Sequence, residues 1–177
     1  GEASPYHNDT PRGERSGHLP PTACVSFLQN HDQIGNRALG ERLNQMAPES
    51  LLQIAVALFL LAPSPPLLFM GEEFAAATPF LYFCDFGPEL AGKVKEGRRR
   101  EFSRFPQFSE PEAQEQIPDP NQEESFRRSC LAWQQADLEK GRQHLHLYRE
   151  LLALRQHVIL PLLAGLRENK ACSTLIG

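Results

Sequence analysis

The sequence predicts an α/β fold, and three observations carry that prediction. Two short apolar runs, residues 23–28 (ACVSFL) and 67–70 (LLFM), have the length and composition of buried strands. Between them lies residues 51–62 (LLQIAVALFLLA), long enough for a helix but short of the roughly 20 residues that cross a bilayer. Strand, helix, strand, with the strands apolar on both faces, is the order of a parallel crossover unit covered on both sides.

Composition sets the outer bounds. The 177 residues suffice for one ordinary domain with a real core. Apolar residues make up 41% and charged residues 23%, globular values that exclude a disordered or fibrous chain. The net charge of −4 exerts no pull toward nucleic acid or an anionic membrane, so neither is expected as a partner. The one basic run, Arg98, Arg99 and Arg100, stands beside Glu96 and Glu101 and reads as a solvated helix face. Cysteines 24, 84, 130 and 172 form no CxxC pair, so neither zinc nor disulfides are indicated. Cys24 and Cys84 sit in apolar surroundings and read as buried small hydrophobes. The polar, Pro/Gly-rich opening holds no signal peptide, and a soluble cytoplasmic protein is expected. So irregular an opening equally fits a cut within a longer polypeptide.

The elements follow in order. Residues 1–21 read as loop, with Pro20 and Pro21 adjoining. Residues 23–28 form the first strand. After a polar connection, Pro48, Glu49 and Ser50 open the apolar helix, where proline's missing N–H costs nothing and an acid suits the helix dipole. Such a helix is expected to be buried on most sides. Pro63, Pro65 and Pro66 end it, and 67–70 form the second strand. Residues 74–137 are mostly irregular: aromatic-rich, then charged, then punctuated by proline. So long an irregular stretch inside a domain signals function or a subdomain. A helix over 138–157 follows, with Leu145, Tyr148, Leu151, Leu152 and Arg155 at helical spacing on one face. Pro161 and Gly165 end it, and the last dozen residues read as the start of another domain. There is no internal repeat.

Both predicted strands end in polar groups. Asn30, His31 and Asp32 follow the first, and Glu72 and Glu73 follow the second. In parallel α/β architectures ligands sit outside the carboxyl ends of the strands, so these residues are candidates for a common site. Local readings compete. Asp32 suits a turn or helix cap, Asn36 or Gly35 a left-handed position, and His31 a satisfied core histidine. The ordered cluster directly after a buried strand favours a site.

The stretch FLQNHDQIGNRALGERL, residues 27–43, resembles the NHDQ(I/V)GNR segment of the maltooligosyltrehalose trehalohydrolases, which are α-amylase-like glycoside hydrolases. PPLLFMGEEF, PFLYFCDF, GRRREF, IPDPNQEESFRRSCLAW and LYRELLALRQ continue the resemblance in the family's order. It implies the C-terminal part of a (β/α)8 TIM barrel, about strands 7 and 8 with their helices, helix-rich. Residues 1–21 would be the loop before strand 7, 22–157 the barrel part, and 158–177 a linker and the start of a C-terminal β-domain. It further implies retaining cleavage of the α-1,4-glucosidic bond next to the trehalose unit of maltooligosyl trehalose, with no cofactor and no metal. Asp32 matches the transition-state-stabilising aspartate, and His31 the histidine on the same sugar. Asn30 and Gln33 match positions lining that pocket. Glu72 matches the acidic end of the eighth strand, a substrate-binding position whose role is support more than chemistry.

These roles suit the chemistry. Glycoside cleavage passes through an oxocarbenium-like transition state, where hydroxyl hydrogen bonds tighten, and a carboxylate is the strongest acceptor for them. Phe74, Phe80, Tyr82 and Phe83 have two readings, stacking on glucose or packing at the rim. A retaining enzyme also needs a nucleophile and a general acid about 5–5.5 Å apart. The resemblance puts these on strands 4 and 5, outside this chain, so the isolated 177 residues are expected to be inactive. Their uncovered barrel faces are expected to self-associate or to rest on a partner segment. Two alternatives stand beside this reading: a non-catalytic carbohydrate-binding or structural remnant, and another α-amylase-family hydrolase.

Overall fold

The computed structural model describes residues 3–4, 8–11, 13 and 17–163. An antiparallel two-residue ladder pairs β1 (Ala3–Ser4) with β2 (Thr10–Pro11). From residue 17 onward the described chain is helical segments and connections. The first half holds α1 (His31–Gly35), α2 (Leu43–Met46) and α3 (Glu49–Leu61). The second holds α4 (Pro88–Phe102), α5 (Pro111–Glu115), α6 (Glu123–Ser129), α7 (Glu139–Leu154) and α8 (Leu160–Leu163).

The main core lies between α3 and α7. Leu52, Val56, Phe59 and Leu60 of α3 pack with Tyr148 of α7, and Leu28, Leu43, Leu147 and Leu151 close the cluster. The two helices are also joined at their ends. At one end His144 Nε2 lies 2.6 Å from Glu49 Oε1, with Lys140 3.3 Å from the other oxygen. At the other, the buried Arg155 donates to the carbonyls of Leu60 (2.9 Å), Ala62 and Ser64 (2.9 Å). Those carbonyls have no partner within α3, and a cation there complements the helix dipole. A second core joins Ala38 to Phe102, Phe108 and Ile117.

Several expectations are corrected. Residues 23–28 and 67–70 do lie side by side and parallel, but as one isolated bridge, Ser26 to Pro66, and not as strands. Its hydrogen bonds run from Ser26 N to Pro65 O (3.0 Å) and from Leu67 N to Ser26 O (2.8 Å). Pro65 and Pro66 have no N–H to donate, and two strands without further neighbours are marginal. The apolar runs are accordingly uncovered, with Val25 57% and Leu67 44% exposed. α3 is buried on one side only, since Leu51, Ile54 and Leu58 face solvent. About half of the stretch 74–137 is helical, with α4, α5, α6 and two short 3-10 turns within it, where mostly irregular chain was expected. Cys24 is exposed and Cys84 half-buried. The inward face of the last long helix holds Tyr148, Leu151 and Arg155 as expected and adds Gly141 and His144, while Leu152 is exposed. Pro161 does not end it: a π-helical turn over 155–159 resets the register and α8 carries the helix on to Leu163. Gly165, Cys172 and the expected start of a β-domain lie outside the described residues.

Candidate functional site

The stretch after the parallel bridge turns at once into α1. Asn30 is extended (φ −145°, ψ 177°) and caps the helix, its Oδ1 accepting the Gln33 amide at 2.8 Å. His31, Asp32 and Gln33 form the first turn, where an acid is favoured by the helix dipole. The side chains of His31 and Asp32 are 70% and 74% exposed, with Nε2 3.4 Å from Oδ1. A solvent-facing carboxylate with an imidazole beside it is suited to the hydroxyls of a neutral polyol.

Glu72 stands differently. It is 7% exposed, and its carboxylate is committed to protein donors. Tyr148 Oη donates to Oε1 at 2.9 Å, and the Phe69 amide lies 3.5 Å from Oε2. Gln29 is also buried, and its Oε1 accepts the Leu43 amide at 3.1 Å. Gln29, which directly precedes Asn30, shares a small cavity with Glu72, Arg42 and Tyr148, but among the described residues no hydrogen bond joins Asn30, His31 or Asp32 to Glu72. Burial raises the Glu72 carboxyl above its ordinary value, against the pull of these donors. Burial and the adjacent Glu72 push the Tyr148 hydroxyl far up, so it remains a protonated donor.

The loop carrying Glu72 is gripped by the segment 42–45. Arg42, 1% exposed, donates Nε to Thr78 O (2.5 Å) and Nη1 to Met70 O (2.8 Å). Asn44 donates to Ala75 O at 2.8 Å, and Gln45 to Ala77 O at 3.0 Å. The grip holds a turn in which Gly71 (φ 81°) and Ala75 (φ 51°) are both left-handed. At Gly71 a Cβ would come within 2.8 Å of the Ala76 Cβ. Burial pulls Arg42 below its ordinary value, and Glu72 and Glu73 partly restore it.

The other end of α1 is met by Arg98 of α4, which corrects the reading of the basic run as a solvated face. Arg98 Nη2 donates to Gly35 O and Arg37 O at 3.2 and 3.3 Å, and its guanidinium stacks 4.8 Å from the Tyr82 centroid. Desolvation lowers its pKa, with Glu101, Tyr82 and Cys84 opposing. The aromatic residues divide accordingly. Phe74 is buried, Phe80 packs edge-on against Phe69, Tyr82 lies against Arg98, and Phe83 is 38% exposed.

Asn30, His31, Asp32 and Gln33 are thus gathered at one helix start, while Glu72 is buried on Tyr148 and is not bonded to them. Gln29, Arg42, Arg98 and Tyr148 were not among the predicted site residues. Their one sequence signal is polarity beside or within apolar or helix-forming runs. Among the described residues no cluster of three or more His, Cys, Asp or Glu could hold a metal ion. Among the described residues no helix is long and apolar enough to cross a membrane.

No protein-family model matches the chain. Individual proteins do. It is 46% identical over 145 residues to the malto-oligosyltrehalose trehalohydrolase of Deinococcus radiodurans, covering 82% of this chain and 24% of that protein. It is 40% identical over 154 residues to the enzyme of that name from Arthrobacter ramosus, covering 86% and 26%. The protein of the same name from Saccharolobus solfataricus is 37% identical over 157 residues, covering 88% and 25%. A Salmonella typhimurium crystal structure, provisionally named an alpha amylase, superposes with a TM-score of 0.85 at 48% identity. That match covers 95% of this chain and 27% of the other. The chain spans about a quarter of the length of the relatives it matches. Identity at this level over four-fifths of the sequence, in proteins that share one name, places the chain in the malto-oligosyltrehalose trehalohydrolase family.

Proposed function

We propose that this chain supplies one part of the active site of a retaining glycoside hydrolase, which cleaves the α-1,4-glucosidic bond beside the trehalose unit of maltooligosyl trehalose. The observation that carries the reading is the exposed His31–Asp32 pair at the start of a capped helix, directly after the parallel bridge. Asp32 accepts two neighbouring sugar hydroxyls, in bonds that tighten as the ring flattens toward the oxocarbenium ion. His31 donates to a further hydroxyl of the same sugar, and Asn30 and Gln33 line the pocket. Glu72, committed to Tyr148, supports the segment from inside. The nucleophile and the general acid come from sequence outside this chain, in the part of the relatives that it does not span. Residues 22–157 correspond to the last two strands and helices of a (β/α)8 barrel, with the bridge at Ser26 as the remnant of their pairing.

The experiment is a transplant. Residues 17–163 replace the matching segment of the Deinococcus radiodurans relative, and products from maltooligosyl trehalose are compared with those from a plain maltooligosaccharide. The reading predicts free trehalose from the chimera and none from the 177 residues alone. Cleavage of plain maltooligosaccharides without trehalose release would instead favour the broader amylase activity that the name of the Salmonella protein suggests. A properly folded chimera with neither activity contradicts both.

A further inference from the structure

α1 bears the exposed Asp32 and has only five residues. A helix that short does not hold itself, because nucleation costs more than one or two intrahelical bonds return. Its start is fixed by the Asn30 cap. Its end has carbonyls with no helical partner, and Arg98 meets one of them, Gly35 O, together with Arg37 O just beyond the helix. One nitrogen, Nη2, lies 3.2 Å from Gly35 O and 3.3 Å from Arg37 O. The guanidinium is itself held in place, 4.8 Å from the Tyr82 ring centroid and 5.2 Å from that of Phe102. Phe102 is buried in the second core, against Ala38. Arg98 thus ties α1 to a rigid part of the molecule, and its charge complements the negative end of the helix.

We infer that Arg98 is a positioning residue, which fixes the helix carrying Asp32 through the carbonyls of Gly35 and Arg37 and so sets the direction of the Asp32 carboxylate. The inference rests on the reading of Asp32 given above. Lysine cannot replace it fully: an ammonium keeps the charge but lacks the planar group that stacks on two rings while bonding to carbonyls.

Two measurements test this. In the full chain, amide hydrogen exchange is compared between wild type and Arg98→Met. The amides to follow are Asn36 and Arg37, bonded to Asp32 O and Ile34 O at 3.0 Å each. Their protection should fall about 10-fold or more while α3 and α7 amides keep theirs, a local and not a global opening. Unchanged protection at 36 and 37 overturns the inference. Should Arg98→Met fail to fold, Arg98→Lys is judged by the same two outcomes. In the chimera, Arg98→Met should lower kcat by about 100-fold, the cost of a misplaced catalytic group. KM should stay within about threefold, with Arg98→Lys intermediate in kcat. Unchanged kcat, or a rise in KM alone, overturns the inference. An Asp32→Asn chimera of undiminished turnover would instead defeat the reading of Asp32, leaving the exchange result to judge the grip on α1.

Discussion

Glu72 and Asp32 are both acids that follow an apolar run, and their surroundings separate them. Asp32 is open to solvent, while Glu72 is buried and surrounded by donors. Burial raises the Glu72 pKa, so the folded chain holds that proton more tightly than the unfolded one. The linkage then has a definite sign: stability is full below the unfolded carboxyl value of about 4.5 and falls as pH rises through the raised folded value. Glu49 has the opposite sign. Its burial opposes ionisation, but His144 and Lys140 outweigh that and lower its pKa. Its contribution is present above about 4.5 and lost as pH falls through the lowered folded value. The glutamine amide of Glu72→Gln keeps an acceptor for Tyr148 but cannot ionise. Denaturant titrations at several pH values should show the decline above pH 4.5 removed in Glu72→Gln and the loss at acid pH retained. An unaltered decline would mean that another group causes it.

At the scale of elements, legibility depended on whether the signal was local. α3 could be read closely because its boundaries are local: Pro48 and Glu49 at the start, Pro63 just past the end. α4 carried the same marks, with Pro88 at its start, Glu89 in the first turn and Arg99 and Arg100 in the last, within a stretch read as irregular. The strands were misread because a strand is completed by its neighbours, and residues 23–28 find only Ser26 on Pro66. The NHDQ segment was legible as a cluster. Its anchor was not, since Arg98 reaches its end from a helix distant in sequence, and neither was the Tyr148 bond that holds Glu72. Gly141 shows how packing overrides local preference. Alanine is favoured over glycine in a helix by about 1 kcal/mol, yet a Cβ here would lie 2.1 Å from Gln135 O and 2.9 Å from the Ala136 Cα. Gly141→Ala should therefore destabilise the chain, by about 1–3 kcal/mol in urea denaturation. A stabilised variant would show that the turn before α7 can move aside.

Among the described residues two packed cores stand beside many exposed apolar side chains. α3 and α7 share a core, while Val25, Leu51, Ile54, Leu58 and Leu67 remain exposed. The chain spans about a quarter of the length of its relatives, and exposed apolar surface of this kind is what contact with further protein would cover. On the reading proposed above, Asp32 belongs to this chain and the nucleophile and the general acid to sequence outside it. The central claim is that Asp32 stabilises the transition state of glucoside cleavage. Its most direct test is the rate of trehalose release by the Deinococcus chimera with and without Asp32→Asn. The account predicts a loss of about 100- to 1,000-fold in kcat, the range for removing one preorganised electrostatic contact. Equal rates in a chimera that is otherwise active would contradict it.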